Sequence, residues 1–204
     1  LHGFLGKKQN NVDFYEIKKN PGASSLFKPG DKKDLDFFAL YGGEKYSDLH
    51  QEYSKTKIDV KEAYEEIKNF NLNSLDLIKL DVQGSERMIL ESVFFGADKN
   101  IIPFPLFIKC EVMFTPFYEK LKKGYSLISF INDQNYILID QFDERYRNNV
   151  PIWCDCLFIP DWNTKFGQEM IKNNLDKFQI LCEIYNKDYL FQFIAASLKK
   201  RNVL

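Results

Sequence analysis

The sequence predicts an α/β fold: a Rossmann-like, mostly parallel sheet with flanking helices, one antiparallel strand near the edge and a helical carboxyl-terminal tail. Three observations predict it. Leu75-Asp-Leu-Ile-Lys-Leu-Asp-Val is an apolar run that crosses the short turn Gln83-Gly84-Ser85 into helical spacing, with Met88, Leu90, Val93 and Phe94 on one face. A second run, Leu106-Phe-Ile-Lys-Cys-Glu-Val-Met, again holds one lysine and nears its end at an acid, Glu111. Helical patterns separate these runs, whereas the last two strands are joined by a charged loop and no helix.

The elements follow in order. Val12–Lys18 reads as a strand. Asn20-Pro21-Gly22 is a turn signal, followed by a short extended piece, Ala23–Phe27, that stops at Pro29-Gly30. Residues 31–56 are polar, aromatic and weakly periodic, an irregular excursion; the glycines 3, 6, 42 and 43 read as turns. Val60–Phe70 reads as an amphipathic helix, with Ala63, Tyr64, Ile67 and Phe70 on one face. An interior parallel strand over Leu75–Val82 leads into a helix from Ser85 to about Phe95. After Pro103-Phe-Pro come the strand Leu106–Met113 and a helix from about Tyr118 to Asn132, weakened at Gly124. Tyr136–Asp140 and Cys154–Pro160 are the last strands, with Asp143-Glu-Arg-Tyr-Arg as their loop, and two helices complete the tail. Residues 1–160 are expected to form one domain and 161–204 a helical extension.

The net charge of −1 provides no basic field to recruit nucleic acid, and no run of 18 apolar residues spans a membrane. Cys110, Cys154 and Cys156 sit in apolar runs and Cys182 in the tail, so all four read as buried structural thiols suited to a reducing cytoplasm. His2 and His50 lack ligand spacing with Cys, Asp or Glu, so no metal site is expected. The tail aromatics Phe178, Tyr185, Tyr189, Phe191 and Phe193 are expected to pack on the domain, with a homo-oligomer face as the alternative.

In an open α/β sheet, ligands bind outside the carboxyl ends of the strands. That places Asp81, Gln83 and Glu86 where a reaction could occur. Asp81 is a candidate base or orienting group, or else a partner for the free N–H groups of the next helix. Glu86 has the same two readings. Gly84 permits a tight turn. Lys79, inside the strand, needs a partner; Glu111 at the neighbouring strand end is the candidate, as an ion pair or as part of an acceptor site.

Ile78-Lys-Leu-Asp-Val-Gln-Gly-Ser-Glu-Arg-Met-Ile-Leu resembles the signature of the FkbM-type methyltransferases, S-adenosylmethionine-dependent O-methyltransferases of the Rossmann-like class. Ala23-Ser-Ser-Leu, Ile108-Lys-Cys-Glu-Val and Asp155-Cys-Leu-Phe-Ile-Pro resemble the family's flanking elements, and the likeness covers roughly residues 1 to 160. The resemblance implies methyl transfer to a hydroxyl of a sugar, lipid or secondary metabolite, a small-molecule or glycan acceptor. By the motif, Asp81 and Glu111 would be catalytic. Asp81, Val82, Gln83, Gly84 and Glu86 would border the cofactor, and Ser24, Ser25 and Lys79 the acceptor. The family's opening Gly-rich turn and the acid ending its second strand are not found here, so the chain reads as the carboxyl-terminal portion of such a domain. A non-catalytic remnant or interaction module of the same fold is the alternative.

Overall fold

The computed structural model describes residues 4–31, 40–41, 44–50, 52–115, 117–121, 124–147 and 149–204. The chain opens with strands β1 (Phe4–Gly6) and β2 (Gln9–Ile17) and a 3-10 turn over Pro21–Ala23. A ribbon of β3 (Leu40–Tyr41) and β4 (Glu44–Lys45) precedes helix α1 (Tyr46–His50), strand β5 (Tyr53–Glu62) and helix α2 (Ala63–Lys68). Then come β6 (Leu75–Leu80), α3 (Glu86–Asp98), β7 (Pro105–Met113), α4 (Gly124–Asp133), β8 (Tyr136–Arg147) and β9 (Val150–Pro160). Helices α5 (Lys165–Asn173), α6 (Leu175–Ile184) and α7 (Asp188–Lys200) close the chain. No helix among the described residues is long and apolar enough to cross a membrane.

The class is α/β, but the sheets are mixed rather than mostly parallel. The four-stranded sheet has the order β6-β7-β9-β8; β6 and β7 are parallel, while β9 is antiparallel to both its neighbours. A separate sheet, β1-β5-β2, holds one parallel and one antiparallel pairing. The strand expected in the sheet interior, β6, is at its edge and stops at Leu80. Two charges in six residues explain this: Asp76 and Lys79 would be costly in a strand covered on both faces, and Lys79 instead points to solvent with 54% of its side chain exposed.

Residues 53–62, expected partly as irregular chain and partly as helix, form β5. Thr56, Ile58 and Val60 are β-branched and fall on one face at a period of two, and pairing with β1 and β2 on both sides fixes the extended form. Only Ala63–Lys68 of the expected Val60–Phe70 helix is helical. The excursion over 31–56 is thus partly regular; glycines 3, 42 and 43 and residues 32–39 lie outside the described residues. The helix expected from Tyr118 starts at Gly124. A Cβ there would lie 2.6 Å from the Met113 carbonyl oxygen, so this glycine lets α4 begin tight against the end of β7.

The charged stretch expected as a loop is strand: Arg145 lies opposite Trp153 and Arg147 opposite Val150, with bulges between Leu138 and Tyr146. Charge is tolerated there because β8 is the other edge. The tail holds three helices rather than two. Thr164 caps the first, its Oγ1 accepting the Gly167 N–H at 3.0 Å.

The four-stranded sheet is covered on both faces. Leu90, Val93, Phe94 and Ala97 of α3 pack with Leu127 and Ile131 of α4 on Ile108, Cys110, Val112 and Phe158. Phe178, Leu181, Ile194 and Leu198 of the tail pack on Leu106, Phe107, Leu157 and Ile159. Each such large side chain contributes roughly 1.5–3 kcal/mol on full burial. Phe178 is fully buried, whereas Tyr189 is 82% exposed, so the expected packing of the tail aromatics holds for the first and not for the second. All four cysteines are free, buried thiols.

Candidate active site

The parallel pair β6 and β7 ends at one lip. Leu80 is opposite Cys110, so Asp81 leaves β6 one step on, beside Glu111 of β7. The chain then reverses. Gln83 has φ 54° and Gly84 φ 97°, two successive left-handed residues that turn strand into helix. The backbone angle favours glycine, and a Cβ on Gly84 would also press on Leu121 Cδ1 at 3.0 Å.

The left-handed turn aims the Gln83 side chain back across the lip. Its Nε2 donates to Asp81 Oδ1 and to Glu111 Oε2, each at 3.2 Å. Its Oε1 lies 3.0 Å from the Tyr118 hydroxyl, whose single proton is shared with the Ala23 carbonyl at 2.8 Å. Its own carbonyl accepts the Ser25 hydroxyl at 2.6 Å. One side-chain amide therefore ties both carboxyls together, and Gln83 is itself held by two hydroxyls, Tyr118 at its side-chain oxygen and Ser25 at its backbone carbonyl.

The electrostatics of the two carboxyls differ. Asp81 is exposed and its carboxylate pairs with Lys79 at 3.5 Å, so Lys79 meets Asp81 rather than the expected Glu111. Lys109, next to Lys79 on β7, is occupied by Asp155 at 2.9 Å. Glu111 is pushed up to about 8, first by burial and then by the charges of Glu86 and Asp81, with Lys79 opposing weakly. Glu86 at the start of α3 is pushed up to about 7 by burial, against the backbone N–H groups that it accepts; its Oε1 takes the Val82 N–H at 3.0 Å. Below pH 7 the lip thus carries one exposed carboxylate and two buried, protonated carboxyls.

Ser24 and Ser25 hold backbone. Ser24 Oγ accepts the Ile17 N–H at 3.0 Å, while Ser25 Oγ accepts the Phe27 N–H at 3.0 Å and clamps Gln83. Both border a cavity with Phe4, Phe14, Leu80 and Val82, apart from the lip. Two other cavities meet at Glu111. One, of about 240 Å³, is walled by Phe27, Met88, Leu121 and Leu127 with Glu86. The other, of about 490 Å³, holds Asp81 and Gln83 and is lined from β8, β9 and the Asn20 turn.

Tyr118, Trp153 and Arg145 escaped the sequence reading. The spacing makes Tyr118 the start of a helix that in fact begins at Gly124, and Trp153 and Arg145 reach the lip only through the β7–β9 and β8–β9 pairings. The only legible hint was an aromatic beside alternating small apolar residues in Ile152-Trp-Cys-Asp-Cys.

No curated protein and no solved structure matches the chain. A family model described as a methyltransferase FkbM domain matches residues 4–138, which include β6, the Gln83-Gly84 turn, Glu111 and Tyr118. With two thirds of its length under that match, the chain belongs to the FkbM methyltransferase domain family, which implies a methyl-donor cofactor.

Proposed function

We propose that the protein transfers a methyl group from S-adenosylmethionine to a hydroxyl of a sugar, lipid or secondary metabolite. The observation that carries this reading is the lip itself: Asp81 and Glu111 held side by side by Gln83 at the carboxyl ends of β6 and β7. The exposed Asp81 carboxylate beside an open cavity suits a positive sulfonium.

S-adenosylmethionine supplies an electrophilic methyl carbon on a cationic sulfur. The residues do the rest. Asp81 would accept the hydrogen bond of the acceptor hydroxyl, align its oxygen and take up its proton, while Val82, Gln83, Gly84 and Glu86 would border the methyl donor beside it. Glu111, carrying its proton, donates to a neighbouring acceptor oxygen. Gln83 fixes the spacing of the two carboxyls, and Tyr118 and Ser25 fix Gln83.

Methyl transfer from radiolabelled S-adenosylmethionine to hydroxyl acceptors tests this. Asp81→Asn is expected to lower turnover by about 10²–10⁴-fold, the usual worth of a positioned base, with an unchanged circular dichroism spectrum. Turnover equal to wild type removes Asp81 from the mechanism.

A second reading, a non-catalytic interaction module of the same fold, is favoured by one observation. Among the described residues, no turn with two glycines joins a strand to a helix, the arrangement that would cradle a nucleoside. Micromolar S-adenosylmethionine affinity by titration calorimetry would remove this second reading.

A further inference from the structure

We propose that the 490 Å³ cavity beside the lip is a carbohydrate site, and that the acceptor of this protein is a pyranoside. Its role as acceptor site rests on the methyl-transfer reading above; the binding itself does not. The cavity lies on the face of the four-stranded sheet that carries Glu111 and Trp153, beyond the part covered by the tail helices. In register, Met113 is opposite Trp153 and Trp153 opposite Arg145, while Glu111 is opposite Asp155. Cross-strand partners share a face, so Trp153, Arg145 and Glu111 arise from neighbouring rungs. Asp81, Gln83 and the Asn20 turn complete the lining, the turn being held near Gln83 through Tyr118.

The chemistry of that wall selects among hydroxyl-bearing ligands. Three carboxyl groups, from Asp81, Glu111 and Asp143, face two cations, from Lys19 and Arg145. With Glu111 protonated, Asp81 and Asp143 offset Lys19 and Arg145, so the wall provides no net positive field for a phosphate or a nucleotide. Five ionisable side chains line this cavity and suit an acyl chain poorly; the cavity walled by Phe27, Met88, Leu121 and Leu127 is the more apolar of the two. A pyranose ring presents adjacent hydroxyls that both donate and accept, which carboxylates and amides match as neutral surfaces cannot. It also presents a C–H face, which an indole covers well. Trp153 provides that indole within the same wall, packed edge-on by Phe117 at 5.4 Å between centroids. The volume lies in the range of small-ligand sites, about 300–1,000 Å³.

The placement also orients the sugar. A ring lying on Trp153 with its edge toward β6 brings one hydroxyl to Asp81 and its neighbour to the protonated Glu111. Methylation at one position of a vicinal diol is the consequence.

Saturation-transfer NMR tests binding without any methyl donor, using methyl glycosides of glucose, mannose, galactose, fucose and rhamnose at millimolar concentration. The expected result is transfer to the ring C–H protons of at least one of them. It is accompanied by tryptophan quenching that survives Trp162→Phe and is lost in Trp153→Ala. If Trp153→Ala fails to fold, Asp143→Ala and Arg145→Ala, both at exposed positions, are expected to weaken binding at least fivefold. No transfer to any of the five glycosides overturns the proposal. So does transfer unaltered by the folded variants, or binding of adenosine monophosphate or dodecylphosphocholine in their place. Glycoside binding without methyl transfer overturns the enzymatic reading and leaves this one standing; methyl transfer to a non-sugar hydroxyl without glycoside binding does the reverse.

Discussion

Replacing Glu111 with glutamine keeps the size and the hydrogen bond from Gln83 but removes a proton that the folded state holds tightly. The carboxyl has an ordinary value of 4.5 and is pushed up to about 8 in the fold. Between those values the folded chain binds more protons than the unfolded chain, so stability falls as pH rises; the penalty is absent below 4.5 and complete above about 8. At about 1.4 kcal/mol for each pKa unit, a difference of about 3.5 sets an upper bound of about 5 kcal/mol. Glu86 lies close, is pushed up to about 7, and shares the repulsion, so part of the effect belongs to the pair. A loss of about 2–4 kcal/mol assignable to Glu111 corresponds to about 4–16 °C in Tm for a chain of this length. The assay is thermal unfolding by circular dichroism from pH 5 to 9. Glu111→Gln is expected to melt with wild type at pH 5 and above it by that margin at pH 8.5 to 9. Its own curve keeps a smaller decline between pH 4.5 and 7, from Glu86. Parallel curves for the two proteins would refute the argument that burial and neighbouring carboxyls keep Glu111 protonated.

Tyr118→Phe removes the proton shared by Ala23 and Gln83, leaving the buried Ala23 carbonyl and the half-buried Gln83 oxygen without it; a loss of about 1–3 kcal/mol in urea unfolding is expected, with a fall in methyl-transfer kcat larger than the change in KM. Gly84→Ala meets both the φ of 97° and Leu121, and is expected to cost about 1–3 kcal/mol by the same assay. Lys177→Met breaks a half-exposed ion pair with Asp76 at 3.0 Å and should change stability by less than about 1 kcal/mol, a contrast that checks whether burial decides these magnitudes.

The meeting of Asp81 with Glu111 was legible because it follows from local pattern: two apolar runs, each reaching an acid near its end, are natural neighbours when a helix joins them. The reversal at Gln83-Gly84 was legible for the same reason. The edge position of β6 was also written in Asp76 and Lys79, but a lone lysine in an apolar run reads equally as a buried ion pair, and only the strand order decides. β5 was missed because Ala63, Tyr64, Ile67 and Phe70 mark a helical face immediately after it, and the period-two signal of Thr56, Ile58 and Val60 is diluted by lysines on its exposed side. Tyr118 and Trp153 could not be assigned to the lip, because their contacts with it span 35 residues to Gln83 in one case and depend on the β7–β9 register in the other. Interactions closed over such distances leave no periodic trace in the chain.

The proton inventory of the lip bears on why three carboxyls can share one strand end. Three negative charges within a few ångströms, two of them buried, would repel strongly at the low effective dielectric of a protein interior. Burying Glu86 and Glu111 resolves this by raising their proton affinity, so that below about pH 7 a single negative charge remains, on the exposed Asp81. The same division separates roles. The exposed carboxylate is the group able to accept a proton from a hydroxyl, and the buried Glu111 is an uncharged donor able to hold the adjacent oxygen. Loss of the Glu111 proton above about pH 8 removes that donor and adds a further negative charge to those of Asp81 and Glu86. Methyl-transfer activity is therefore expected to decline across that pH in wild type, and Glu111→Gln, whose amide still donates, is expected to keep its activity to higher pH. A decline at the same pH in both proteins would place the titrating group elsewhere.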